Sequence, residues 1–215
     1  MIFGRKNLPF GDSVTLEEIR KRARILIIDD SSFPPQTLFK RDGYHIDRWA
    51  KIQNVSQLTD GYFDLILLDL HGVGLNESPA RQGLGILEHI KTANPTQLVI
   101  TYSAELWSVG NRDYFAMADD VLEKGQDYLE FKSSIEKLLR RRYSAGYFIG
   151  KMNMELGDSA AECPKAVSKA LRAISSQSTE SLHNYLSKTV QDEQKIERAV
   201  IVITAAIKVA KEVLA

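Results

Sequence analysis

Asp64-Leu65-Ile66-Leu67-Leu68-Asp69-Leu70 is the stretch that decides the fold of this chain. Five apolar residues out of seven predict a strand buried on both faces, as in the middle of a parallel sheet. Asp69 closes the apolar run. A carboxylate directly after a buried strand lies where open α/β sheets bind ligands, outside the carboxyl ends of their strands.

Strands and helices alternate on either side of this run. Upstream, Arg24 to Ile28 reads as an apolar strand ending in Asp29-Asp30, after a short helix over Ser13 to Arg24. Glu17 and Glu18 at the start of that helix and Arg20, Lys21 and Arg22 at its end complement the helix dipole. Pro34 and Pro35 open a helix to about Arg41, Tyr44 to Ala50 is a second strand, and Val55 to Thr59 a short helix. Downstream, Gly85 to Lys91 has helical spacing, Gln97 to Tyr102 is a fourth strand, and Asp113 to Ala118 lies in a helical segment. Val121-Leu122 is a fifth strand. Tyr128 to Arg142 is a helix with Leu129, Ile135, Leu138 and Leu139 on one side. Five strands alternating with helices predict an α/β fold, a doubly wound five-stranded parallel sheet.

The totals exclude several classes. Of 215 residues, 44% are hydrophobic and 26% charged, with 28 basic and 28 acidic side chains, so no global charge points to nucleic acid or membrane. A single cysteine, Cys163, permits no intrachain disulfide and fits a reducing compartment. No apolar run reaches the roughly 18 residues of a membrane span, and the first residues lack a signal-peptide core. The expectation is a cytoplasmic protein.

Polar groups recur at the predicted strand ends: Asp29 and Asp30 after the first, Asp69 after the third, Ser103 after the fourth, Lys124 after the fifth. In a parallel sheet these ends share one edge, so the five converge. Singly, each has a plain explanation: acid pairs cap helices, and a lysine is usually solvated. Together, three carboxylates repel one another unless a hard divalent cation relieves them, and Mg²⁺ suits a site with few carboxylates. A hydroxyl and an ammonium beside it make a receptor for a phosphoryl group.

Residues 24–143 resemble the receiver domain of two-component response regulators, of the chemotaxis-regulator type. The matching segments are Arg-Ile-Leu-Ile-Ile-Asp-Asp, Asp-Leu-Ile-Leu-Leu-Asp, Val-Ile-Thr-Tyr-Ser-Ala and Ala-Asp-Asp-Val-Leu-Glu-Lys. The resemblance implies a flavodoxin-like receiver in which Asp69 accepts phosphate from a histidine kinase or phosphotransfer protein. Asp30 and Asp69 would hold Mg²⁺ directly, Asp29 largely through water, and His71 through its backbone carbonyl. Ser103 would bond the phosphoryl group and Lys124 would pair with the acyl phosphate. No separate enzymatic domain is expected.

Three features depart from the family. Gly125 follows Lys124 where proline is usual, so no cis-proline forms there. Val121 stands where an aromatic switch residue is common. The segment His71 to Gly83 is longer by about six residues than the usual connection, itself typically about 2–6. Such a loop can gate a site or choose partners. Within it, Arg81 reads as solvated, and Gly83-x-Gly85 lacks the third glycine of a dinucleotide loop. His71 has no second His or Cys to make it a side-chain metal ligand.

Residues 1–23 form an N-terminal arm and short helix, 24–143 the receiver, and 144–215 a helical extension. In the extension Pro164 starts a helix to about Ile174 with Val167, Leu171 and Ile174 on one face. Ser175 to Ser178 breaks it, and one helix then runs from Thr179 to Ala215, which contains neither Gly nor Pro. Ile196, Val200, Ile203, Ile207, Ala210 and Leu214 keep heptad spacing, the seam of a homodimer or of packing within the chain. With nine basic and eight acidic residues over 145–215, no nucleic-acid face is expected, and His183 reads as an ordinary surface histidine. The expected output is a protein–protein interaction. The alternatives are a DNA-binding regulator using the C-terminal helices and a receiver-like scaffold that is never phosphorylated.

Overall fold

A computed structural model of the chain describes residues 14–103 and 116–214. The strands are β1 Arg24–Ile28, β2 His45–Trp49, β3 Leu65–Asp69, β4 Leu98–Ser103 and β5 Asp120–Glu123. All pair in parallel, in the order β2-β1-β3-β4-β5. Every residue of β3 and β4 is buried, which is why their sequences are apolar without alternation. The expected five-stranded, doubly wound parallel sheet is the fold of this region.

Eight α-helices lie among the described residues. They are α1 Leu16–Arg22, α2 Gln36–Arg41, α3 Gln82–Ala93, α4 Tyr128–Arg142, α5 Ala145–Leu156, α6 Ala166–Ser176, α7 Glu180–Leu186 and α8 Glu193–Leu214. The short helix expected at Val55 to Thr59 is a 3₁₀ turn, Ser56–Leu58. Of the segment expected to be helical at Asp113 to Ala118, residues 113–115 lie outside the described residues and 116–118 form a turn and bend before β5.

The sheet has a core on each face. On one, Leu26 and Ile28 of β1, Ile66 and Leu68 of β3 and Val99 of β4 pack with Ile86, Leu87 and Ile90 of α3. On the other, Tyr102 of β4 meets Phe131 of α4, the rings 6.0 Å apart, and both meet Phe33. Successive strand residues point to opposite faces, so one apolar run serves both cores. Full burial of each such side chain stabilises the fold by roughly 1.5–3 kcal/mol. On α4 the buried residues are Phe131, Ile135, Leu138 and Leu139. Leu129, placed on that side from sequence, is 68% exposed, because Phe131 reaches the sheet and turns Leu129 outward.

The chain divides into two compact units, Leu16–Arg140 around the sheet and a helical unit from Arg141 onward. In the sheet unit α1 is anchored by the buried Ile19 and by Arg20, which bonds Glu136 at 2.6 Å and the Tyr44 hydroxyl at 3.0 Å. In the helical unit, Ser144 caps α5 by accepting the Tyr147 N–H at 3.3 Å. Gly157, at φ 55°, ends the same helix.

The α5 helix runs through Gly146 and Gly150 without a break. Two expectations for this unit are corrected. First, α6 buries Ala166, Ala170, Ala173 and Ile174 and leaves Val167 exposed: its small residues permit close approach of neighbouring helices. Second, the long helix expected from Thr179 onward is two helices, broken over residues 187–192. The Thr189 hydroxyl bonds the Tyr185 carbonyl at 2.9 Å, and Asp192 caps α8 by accepting the Lys195 N–H at 3.3 Å. Along α8, Ile196, Ala199, Val202, Ile203, Ala206, Ile207, Val209 and Ala210 are buried, and the helix packs most extensively on α5. Of the heptad positions, Ile196, Ile203, Ile207 and Ala210 are among these buried residues.

Candidate functional site

In the strand order 2-1-3-4-5 the winding reverses between β1 and β3, and ligand crevices form at that point. Asp29 follows β1 and Asp69 ends β3, so both stand at the reversal. Register brings them level, since Ile28 pairs with Leu68. It also sets Asp69 beside Tyr102 and Ser103 beside Glu123, one residue short of Lys124.

Asp29, Asp30 and Asp69 offer oxygens that all lie within 4.8 Å of one another. Asp29 and Asp69 are each 1% exposed, and Asp30 faces solvent. The Lys124 ammonium donates to Asp69 Oδ2 at 2.6 Å and stands 3.4 Å from Asp29. The Lys124 N–H donates to the Ser103 carbonyl at 3.1 Å, so the ends of β4 and β5 are tied by backbone. Ser103 itself is fully buried. The His71 N–H donates to Asp69 Oδ1 at 3.2 Å, and the His71 side chain is exposed. The five polar residues read from strand ends therefore share one edge of the sheet, with the three carboxylates close together and the lysine reaching Asp29 and Asp69.

Burial pushes the Asp69 carboxyl above its ordinary value, more than the bond from Lys124 pulls it down. Burial would raise Asp29 as well, but hydrogen bonds from Ser31 and Tyr102 outweigh it and hold Asp29 below its ordinary value. For Lys124, burial lowers the pKa, yet the bond to Asp69 prevails and raises it. The result is a buried carboxylate of increased basicity held against an ammonium.

The loop from His71 to Arg81 shapes the open side. Gly72 has φ 79°, and a Cβ there would stand 2.3 Å from Asp30 Oδ2. Gly83, at the start of α3, lies against the site from beneath: a Cβ would be 2.2 Å from the Asp69 carbonyl oxygen. The loop is tied to itself, with Gly72 N–H donating to the Gln82 side chain at 2.9 Å and Ser78 N–H to the Gly74 carbonyl at 2.8 Å. Arg81 pairs with Glu88 at 2.5 Å.

Sequence reasoning missed three contributors. The Tyr102 hydroxyl donates to Asp29 at 2.7 Å. Ser31 donates to Asp29 through both its N–H, at 2.8 Å, and its hydroxyl, at 2.7 Å. Arg48 clamps the same turn, bonding the carbonyls of Asp29 at 3.0 Å and Ser31 at 2.7 Å. A tyrosine in the buried Val99-Ile100-Thr101-Tyr102 run was the available signal, because a buried phenol needs a partner. No cis peptide bond occurs among the described residues.

The structural neighbours of this chain are response-regulator receiver domains. A CheY-like receiver domain protein from Methanospirillum hungatei is 21% identical, with 56% of this chain and 95% of that chain covered and a TM-score of 0.47. The signal receiver domain of a LuxO repressor protein from Vibrio parahaemolyticus is 23% identical, covering 56% and 92%, with a TM-score of 0.44. The response regulator TrrA from Thermotoga maritima, solved with Mg²⁺ and BeF, is 24% identical, covering 54% and 98%, with a TM-score of 0.40. The remainder of the chain is the helical extension. No family model and no curated protein matches the sequence.

Proposed function

We propose that this chain is a response-regulator receiver that accepts a phosphoryl group on Asp69. The observation that carries the reading is the Lys124 ammonium 2.6 Å from Asp69, inside a pocket of three converging carboxylates. A structural ion pair would need one acid. Here two more carboxylates crowd the same point, and one of them is open to solvent.

The donor set suits Mg²⁺: oxygens only, few carboxylates, and an open side where waters complete the shell. Asp30 and Asp69 would hold it, with the His71 carbonyl. Bound there, the cation would neutralise charge on the phosphoryl oxygens. The residues do the rest. Asp69 attacks the phosphorus of a phosphohistidine, an O–P bond forms as the P–N bond breaks, and the leaving imidazole nitrogen keeps the electron pair and takes a proton. Because the nucleophile is an ionised carboxylate, no general base is required. Lys124 follows the charge from carboxylate to acyl phosphate, and Ser103 bonds a phosphoryl oxygen. Positioning and charge neutralisation supply the catalysis in such transfers.

The donor is a histidine kinase or phosphotransfer protein, encountered in the cytoplasm. The output is a protein–protein contact, with a partner or with a second copy through the helical extension. Incubating the protein with acetyl phosphate and Mg²⁺ and weighing it intact tests the reading. Wild type should gain one phosphate and Asp69→Asn none. An unmodified wild type would sink the proposal. Light scattering before and after the reaction shows whether phosphorylation changes assembly.

A further inference from the structure

Asp29 is the most heavily engaged of the three carboxylates. A carboxylate offers about four lone-pair directions on its two oxygens. Oδ1 takes the Ser31 N–H at 2.8 Å and the Ser31 hydroxyl at 2.7 Å. Oδ2 takes the Tyr102 hydroxyl at 2.7 Å, and the Lys124 ammonium, 3.4 Å from either oxygen, donates to Oδ1. Four donors thus converge on Asp29, and the Tyr102 hydroxyl is the one that holds Oδ2. Asp69 differs: it accepts one bond on each oxygen, from His71 N–H and from Lys124. Asp30 is exposed and its oxygens accept no hydrogen bond from the described residues.

Tyr102 cannot easily give up its position. The phenol is 1% exposed, and its ring is wedged edge-on against Phe33 at 5.7 Å and Phe131 at 6.0 Å. Lys124 Nζ lies 5.5 Å from the ring centre. Swinging the hydroxyl away would leave it buried without a partner, which native structures avoid.

We infer that Tyr102 sets which cation the acidic pocket accepts, by occupying Asp29 and leaving only Asp30 and Asp69 as carboxylate ligands. The inference rests on the reading of this pocket as a cation site. Mg²⁺ binds through one or two carboxylates and keeps its remaining waters, whereas Ca²⁺ takes six to eight oxygens and gains from each added carboxylate. A tyrosine that withholds the third carboxylate therefore favours the smaller ion. Tyr102 is a positioning residue in this scheme and touches no reacting atom.

The test is calorimetric titration of the full chain with Mg²⁺ and, separately, Ca²⁺. Four proteins are compared: wild type, Tyr102→Phe, Asp29→Asn and the double variant. Tyr102→Phe keeps the ring and deletes the hydroxyl, so packing on Phe33 and Phe131 survives. Freeing Asp29 should tighten Ca²⁺ binding by about tenfold, with a smaller gain for Mg²⁺, the scale on which outer partners of ligands act. Asp29→Asn should erase that gain in the double variant. Equal or weaker Ca²⁺ binding in Tyr102→Phe, or additive effects of the two substitutions, would overturn the inference while leaving the cation site standing. No heat with either ion in wild type and in Tyr102→Phe would instead remove the cation site, and with it the basis of the proposed function. Binding by Tyr102→Phe alone would support Tyr102 as the residue that withholds Asp29.

Discussion

Replacing Lys124 by methionine removes one ammonium and keeps a chain of similar length. Asp29 and Asp69 are each 1% exposed, so both become buried anions without a counter-charge. At 2.6 Å from Asp69 and 3.4 Å from Asp29 the gross attractions are about 6 and about 5 kcal/mol for an effective dielectric constant of roughly 20. Most of that only offsets the desolvation of the lysine, whose side chain remains 28% exposed. Deleting one partner of a fully buried pair costs about 3–5 kcal/mol, so a half-open site should lose about 2–3 kcal/mol. Two arms isolate the electrostatic origin. In Asp69→Asn, the same lysine replacement should cost only about 1 kcal/mol, since one of the two anions is gone. Millimolar Mg²⁺ should stabilise Lys124→Met more than wild type, because a cation that binds only the folded form takes over the missing charge. Urea unfolding followed by tryptophan fluorescence reads this directly, since Trp49 is buried in the sheet unit. Equal losses in both backgrounds, with no response to Mg²⁺, would show that Lys124 acts through its aliphatic stem and that the charge argument is wrong.

Three further perturbations address the frame around the site. Gly83→Ala sets a methyl 2.2 Å from the Asp69 carbonyl oxygen and 2.7 Å from Leu70 Cα, both backbone atoms that cannot swing aside. It should cost roughly 3 kcal/mol in urea unfolding and slow phosphate uptake in the same preparation; a variant of wild-type stability would contradict the packing described. Lys91 is 9% exposed and joins the buried Asp119 carboxylate and the Gln97 carbonyl, the latter at 2.6 Å, so Lys91→Met should lose about 3–5 kcal/mol. A loss under 1 kcal/mol in the same assay would refute the pairing. Glu136 concerns pH. Burial would raise its pKa, but the Tyr44 hydroxyl and Arg20 outweigh that and hold it below the ordinary 4.5. A depressed carboxylate stabilises the fold above its unfolded value and loses that contribution as pH falls through the folded one. Glu136→Gln should therefore be less stable than wild type at pH 7, and the gap should close as pH drops below 4.5; a gap independent of pH would refute the assignment.

The centre of the sheet was legible because β1, β3 and β4 are buried runs that end at a polar residue, and β3 and β4 have no solvent face to blur the pattern. The same property exposed the site, since Asp29, Asp69 and Lys124 interrupt hydrophobic segments at equivalent heights. Helix faces were harder to read. Leu129 and Val167 are apolar yet exposed, while alanines carry the buried side of α6, so hydrophobicity without volume and neighbours misplaces the stripe. The break before α8 was hidden because no Gly or Pro marks it; bonds from Thr189 and Asp192 end one helix and start the next. The role of Tyr102 was hidden for a different reason. Its partner is 73 positions away, and nothing local says where a strand residue's hydroxyl will arrive.

The enlarged loop after β3 has a thermodynamic consequence. Its turns are fixed by its own bonds, from Gly72 to Gln82, from Ser78 to Gly74, and through the Arg81–Glu88 pair. The entropy of ordering these residues is lost when the chain folds, and not at a later encounter. A protein that recognises the hollow lined by Leu75, Asn76 and Glu77 beside Asp30 would meet a pre-ordered template and would recover most of its contact energy as affinity. Cutting the Gly72–Gln82 tie with Gln82→Ala should leave that contact surface chemically intact while making every complex on it weaker.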